Sequence, residues 1–189
     1  MTRSLFATRL YEGSLGDERL LEELAHSIRS LAQDDEAGKT WSADHRYPGY
    51  TSYASLSDLP KRDPTIAAVA KLLIRHATAF ANELGWDRKP RLDSLWVNLL
   101  KAGGHHSGHI HPHSIISGTF YVQVPKGSGA IRFEDPRLPL MMVAPPRPDA
   151  FVTIEPRAGL LLMWESWLRH EVLAGTGRAD RLSISFNFA

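Results

Sequence analysis

Arg181-Leu182-Ser183-Ile184-Ser185-Phe186-Asn187-Phe188 alternates without a break, apolar at every even position and polar at every odd one. Successive side chains of a strand point to opposite faces, so this octapeptide reads as a strand with one greasy and one wet face. A second run repeats the pattern. Ser117, Thr119, Tyr121 and Gln123 fall on one face, and Ile116, Phe120, Val122 and Val124 on the other. An outward polar face ordinarily carries Lys and Glu. These two faces carry hydroxyls, amides, a Tyr and one Arg, which suits the wall of a wet interior pocket.

Further short apolar runs surround these two, at 95–100, 130–133, 151–154, 160–164 and 170–173, most of them punctuated by Gly or Pro. The first half reads differently. Leu20, Leu21, Leu24, Ile28 and Leu31 follow Gly16-Asp17 at helical spacing. Asp34, Asp35 and Glu36 near the end of that helix have the wrong sign for its dipole, so fraying is expected there. A second helix starts with Asp63 as cap and Pro64 at the first helical position, and Gly85 stops it. Its expected buried stripe is Ile66, Val69, Leu73, Ile74, Ala77 and Phe80, with His76 beside it and partly buried. Helices followed by about seven short strands indicate an α+β domain whose β part is a sandwich or jelly roll.

Composition narrows the chemistry. The chain has 189 residues, which fits one domain, 1–189, with 1–90 as mainly helical support and 91–189 as the β core. Without cysteine there is no disulfide, thiolate metal site or cysteine nucleophile. Lys plus Arg is 22 against 21 Asp plus Glu, a formal charge of +1, so bulk charge draws the chain to neither nucleic acid nor an anionic membrane. No apolar stretch reaches the ~18 residues of a membrane span, and Met1–Ala7 has no signal-peptide core. The expectation is a cytoplasmic protein. Exposed strand edges allow a homodimer.

Five of the nine histidines lie in His105-His106-Ser107-Gly108-His109-Ile110-His111-Pro112-His113. Two imidazoles one residue apart on extended backbone project to one face and can take adjacent positions on a metal. His170, the only histidine after the cluster, is the natural third ligand. Three ligands leave positions open for co-substrate and dioxygen, as a redox iron enzyme requires. His113 shares the odd parity of His109 and His111, and Asp135 is a nearby acid, so both remain alternative ligands. Eleven residues after His170 comes Arg181. Paired antiparallel strands would set the two roughly opposite each other, ~5–8 Å apart. A buried guanidinium needs an anion, and its planar fork matches a carboxylate. Metal plus Arg181 fits a short dicarboxylate, with Ser183 as a further donor. Pairing of Arg181 with Glu171, Asp135 or Asp180 is the simpler alternative.

Taken together, His109-Ile-His111-Pro112, Ser117-Gly118-x-x-Tyr121, Gly159 through Leu168-x-His170, and Arg181-x-Ser183-x-Ser185-Phe186-Asn187 resemble the Fe(II)/2-oxoglutarate-dependent oxygenases. The likeness is to the bacterial and phage-borne group with an H-x-H-P…S-G-x-Y-Y-V signature, and is strongest from Trp96 to Asn187. It implies a double-stranded β-helix (jelly-roll) core with N-terminal helices packed on one side. It implies iron on His109, His111 and His170, 2-oxoglutarate on Arg181 and Ser183, and further co-substrate contacts from Asn98 and Tyr121. The activity implied is a dioxygenase that oxidises an unknown primary substrate while 2-oxoglutarate is decarboxylated to succinate. One departure stands out, since His111 occupies the place of the usual carboxylate ligand.

Two other readings share the same residues: a cupin-like three-His dioxygenase or isomerase that does not use 2-oxoglutarate, and a non-catalytic jelly-roll ligand-binding module. Trp96, Trp164 and Trp167 are expected in the core or in an apolar site lining. Residues 47–53 and the proline-rich 135–149 stretch are expected to wall the pocket.

Overall fold

The computed structural model describes residues 2–3, 5–137, 142, 145 and 148–189. In chain order the elements are β1 (Leu10–Ser14), α1 (Glu18–Asp34), α2 (Glu36–Asp44), β2 (Gly49–Thr51), α3 (Leu59–Arg62) and α4 (Pro64–Glu83). The strands β3 (Leu92–Leu100), β4 (His106–His109), β5 (Ile116–Gln123), β6 (Ile131–Glu134), β7 (Phe151–Ile154), β8 (Leu160–Glu165), β9 (His170–Val172) and β10 (Arg181–Phe188) follow.

The helices begin where their caps dictate. The Asp17 carboxylate accepts from the Leu20 amide at 2.9 Å, and Asp63 accepts from the amides of Thr65 and Ile66. Each cap satisfies donors that the first turn leaves open. Asp34–Glu36 does not fray as expected. The Asp35 amide closes α1 on the Leu31 carbonyl, and the Asp35 side chain caps α2 by accepting from the Gly38 amide at 3.0 Å. An acid misplaced at one helix's end is well placed at the next one's start. The expected stripe of α4 is buried except for Ile74, which is 41% exposed; Ala70 and Ala81 complete the face instead. Ile66, Val69, Leu73 and Phe80 have no exposed surface, and each buried side chain of this size contributes about 1.5–3 kcal/mol. His76, half-buried, is paired with the Tyr11 hydroxyl at 2.8 Å.

Two antiparallel sheets form the β part. One has the order β1-β8-β5-β10-β3-β2, the other β4-β9-β6-β7. The first ninety residues therefore supply two edge strands, β1 and β2, as well as helices. Both are short and owe their existence to partners far along the chain, β8 and β3.

The alternation in Arg181–Phe188 is realised in full. Leu182, Ile184, Phe186 and Phe188 are completely buried in the cluster shared with α1 and α4. Arg181, Ser183, Ser185 and Asn187 face the other way and line a cavity. Gly118 makes room for this packing: a Cβ there would lie 2.4 Å from the Phe186 ring.

Candidate active site

The cavity has a volume of about 300 Å³, and the strands β3, β4, β5, β8, β9 and β10 all contribute to its wall. That is the lower end of the range for small-molecule sites. His109 and His170 face each other as register partners on β4 and β9. His111 follows just beyond β4, its backbone held by a bond from its amide to the Ser166 carbonyl at 3.0 Å. One nitrogen from each of His109, His111 and His170 lies within 4.8 Å of the others.

Two of these rings are pre-oriented. His109 Nδ1 lies 2.7 Å from the Ser107 carbonyl, and His170 Nδ1 lies 3.0 Å from the Leu168 carbonyl. A carbonyl can only accept, so each Nδ1 carries the proton and each Nε2 keeps its lone pair for a metal. Burial is the main cause that lowers the pKa of His111 to about 4 and of His170 to about 3. Near neutral pH both are therefore the uncharged imidazoles that coordinate metals. Three imidazole nitrogens gathered within 4.8 Å of one another fit a divalent first-row ion that keeps open positions. His113 does not join them; it is exposed, in a left-handed conformation (φ 68°). Asp135 is bonded to Arg137 and lies outside the cavity.

Arg181 is 4% exposed, lines the same cavity, and makes no ion pair among the described residues. Nη1 donates to the Gly129 carbonyl at 3.0 Å, and Nε has no partner. Glu171, one expected alternative partner, accepts from Arg132 at 2.6 Å instead. The unpaired guanidinium fits an anionic ligand, since a buried cation without a counter-charge is costly. The route by which it reaches the site differs from the expected one. β9 and β10 are not neighbours; they belong to different sheets. Arg181 and His170 meet across the interior of the sandwich rather than along one ladder.

Ser183, Asn98 and Tyr121 line the cavity and are 4%, 3% and 1% exposed. Burial raises the Tyr121 phenol to about 12, so it stays protonated. A polar chain runs beside Arg181. His106 Nε2 lies 3.0 Å from the Tyr47 hydroxyl, which donates to Asn98 Oδ1 at 3.2 Å, and Asn98 Nδ2 donates to Ser185 at 3.0 Å. Burial lowers His106 to about 3 and pushes Tyr47 far above the usual phenol range, so the chain is uncharged. Residues 47–53 do wall the pocket, through Tyr47, Thr51 and Tyr53. Trp41 on α2 joins them; sequence reasoning missed it because α2 itself was not foreseen.

The expected wall at 135–149 falls in part outside the described residues. Asp135, Pro136, Arg137 and Asp149 line a separate hollow with residues 5–10. Trp96 and Trp164 are nearly buried and line the cavity, Trp164 edge-on to His170 at 4.5 Å between ring centres. Trp167 is 47% exposed and serves neither core nor cavity: it follows the Ser166 turn that holds His111, and its ring points outward.

Residues 94–187 match the family described as "Putative 2OG-Fe(II) oxygenase". No curated protein matches the chain. Among solved structures, the non-heme alpha ketoglutarate dependent epimerase SnoN from nogalamycin biosynthesis is 19% identical, with a TM-score of 0.68 over 96% of this chain and 78% of SnoN. A Pseudomonas putida prolyl-4-hydroxylase is 18% identical, with a TM-score of 0.68 over 96% of this chain and 92% of its own. HygX from Streptomyces hygroscopicus is 12% identical, with a TM-score of 0.66 over 96% of this chain and 82% of HygX. These likenesses establish the double-stranded β-helix fold. The family match spans β4 to β9, nearly all of β3 and β10, and every residue of the three-imidazole and Arg181 constellation, so through residues 94–187 the chain belongs to the 2OG-Fe(II) oxygenases, enzymes that work with non-haem iron and 2-oxoglutarate.

Proposed function

We propose that His109, His111 and His170 hold Fe(II), that Arg181 and Ser183 hold the distal carboxylate of 2-oxoglutarate, and that the chain oxidises a primary substrate bound in the same cavity. The observation that carries this reading is Arg181: a buried guanidinium with no anion of its own, lining the cavity that the three imidazole nitrogens share. HygX has been crystallised with nickel and 2-oxoglutarate, and SnoN with Fe3+ and alpha ketoglutarate.

When bound, iron and 2-oxoglutarate supply oxidative decarboxylation to succinate and carbon dioxide, coupled to oxidation of the substrate. The protein's part is binding and orientation. The Ser107 and Leu168 carbonyls fix the rings of His109 and His170. The Gly129 carbonyl aims Arg181 through Nη1. Asn98 and Tyr121 are further co-substrate contacts, the former steadied by Tyr47 and Ser185. Trp96 and Trp164 exclude water beside the ligand rings. With three histidines in place of two and a carboxylate, the site is one charge more positive, which strengthens its hold on an anionic co-substrate.

Succinate formation from 2-oxoglutarate, with Fe(II) and air, tests the proposal. The wild-type chain turns over at least the uncoupled reaction, and His170→Ala does not. Oxygen uptake that ignores added 2-oxoglutarate would instead select the three-His dioxygenase reading.

A further inference from the structure

The cavity has two unlike halves. Its polar half is the His106–Tyr47–Asn98–Ser185 chain beside Arg181. Its other half is a continuous run of rings. Trp96 stacks toward His111 with 6.2 Å between centres, Tyr53 meets Trp96 at 5.2 Å, and Trp41 meets Tyr53 at 5.9 Å. His45 stacks on Trp41 at 4.0 Å. Tyr53 is 60% exposed and Ile110, also in the lining, is 47% exposed, so this half forms the mouth. Exposed apolar side chains gathered at a cavity mouth mark a binding surface.

Resting on the functional reading above, we infer that the Trp41–Tyr53–Trp96 wall is the primary-substrate subsite and that it takes an uncharged aromatic ring. Charge decides against other occupants. Among the described residues, no Asp, Glu or Lys lines the cavity, and its one permanent charge, Arg181, is committed to the co-substrate. A substrate cation would meet rings but no carboxylate, and His45 stacked on Trp41 adds no negative charge. A sugar would need side-chain partners for several hydroxyls beside the rings, whereas Tyr47, Asn98 and Ser185 are already bonded to one another. An aromatic ring needs neither. It gains from edge-to-face contact with neighbouring rings in the geometry Tyr53 and Trp96 already adopt, 73° apart. The wall ends at His111, so a ring held on it presents its substituents to the metal position.

Ligand-observed NMR with Mn(II)- and 2-oxoglutarate-loaded protein under anaerobic conditions tests the inference, with indole, tetramethylammonium and glucose as probes. Indole binds, and its affinity falls about tenfold in Tyr53→Ala and in Trp41→Leu, while 2-oxoglutarate affinity stays at the wild-type level. Tyr53 is largely exposed, so its variant tests the wall without threatening the fold. Absence of indole binding, equal affinity in the variants, or preference for tetramethylammonium or glucose overturns the inference. Failure of 2-oxoglutarate to bind the wild-type chain is a separate result that overturns the functional reading; the indole titration of the same sample still tests the wall.

Discussion

His170 and Arg181 stand on consecutive strands that never pair: β9 bonds to β4 and β6, whereas β10 bonds to β3 and β5. The loop between them carries the chain from one sheet to the other. The imidazole of His170 and the guanidinium of Arg181 are thereby anchored on separate sheets. Each can be lost without the other, and that separability makes the assignments testable one by one.

Removal of an imidazole abolishes metal binding and everything that depends on it. His109→Ala and His170→Ala retain little iron by metal analysis and release no succinate above background. Each ring is also packed, His170 against Trp164 and Phe133, so circular dichroism is recorded alongside. A folded variant with wild-type turnover would remove that residue from the ligand set.

Arg181→Ala leaves metal content near wild type and weakens 2-oxoglutarate. Loss of one partner of a buried charge pair costs about 2–5 kcal/mol, equivalent to at least a thirtyfold rise in Kd. Arg181→Lys restores charge without the planar fork and recovers only part of the affinity. Anaerobic titration with 2-oxoglutarate reads both, and an unchanged Kd in Arg181→Ala would refute the role.

Gly118→Ala destabilises the sheet. The new methyl group would sit 2.4 Å from the Phe186 ring and 2.6 Å from the Leu162 carbonyl, within β5 and against β8. Overpacking of this kind costs about 1–3 kcal/mol. The urea midpoint falls accordingly, and Gly118→Ala with Phe186→Leu recovers part of the loss by vacating the space.

Asp35 makes stability depend on acid. Burial tends to raise its carboxyl pKa, but bonds from the Ser55 hydroxyl, the Gly38 amide and the Tyr50 hydroxyl outweigh it and hold it below the ordinary aspartate value. A depressed native pKa contributes stability that is present above the unfolded value and is lost as pH falls through the native one. Wild type therefore loses stability below about pH 4, and Asp35→Asn loses less across that interval. Asp35→Ala costs about 2–4 kcal/mol near neutral pH, from the lost cap and the stranded Tyr50 hydroxyl. Thermal melts from pH 3 to pH 7 measure both effects.

Much of the site was legible in residues close together in the chain. His109-Ile-His111 marks two of the three clustered imidazoles because alternate residues of extended backbone share a face. The odd positions of Arg181–Asn187 define a cavity wall for the same reason, and the caps at Asp17 and Asp63 mark helix starts through bonds spanning two or three residues. Parity failed at His113, where Pro112 and a left-handed turn end the alternation.

The amino-acid sequence by itself determined which face two of the strands turn toward the cavity, where two principal helices begin, and which three histidines and one arginine gather at the candidate site. Only the tertiary structure decided that β9 and β10 lie in different sheets, that β1 and β2 exist, that Asp35 starts a helix rather than fraying one, and that Trp41, Tyr53 and Trp96 form one wall. The division has a physical cause. Side-chain alternation and capping follow from the covalent geometry of a few adjacent residues. Sheet membership and ring clusters follow from partners dozens of residues away, such as Leu10 opposite Trp164 or Tyr53 against Trp96, and no local pattern encodes them.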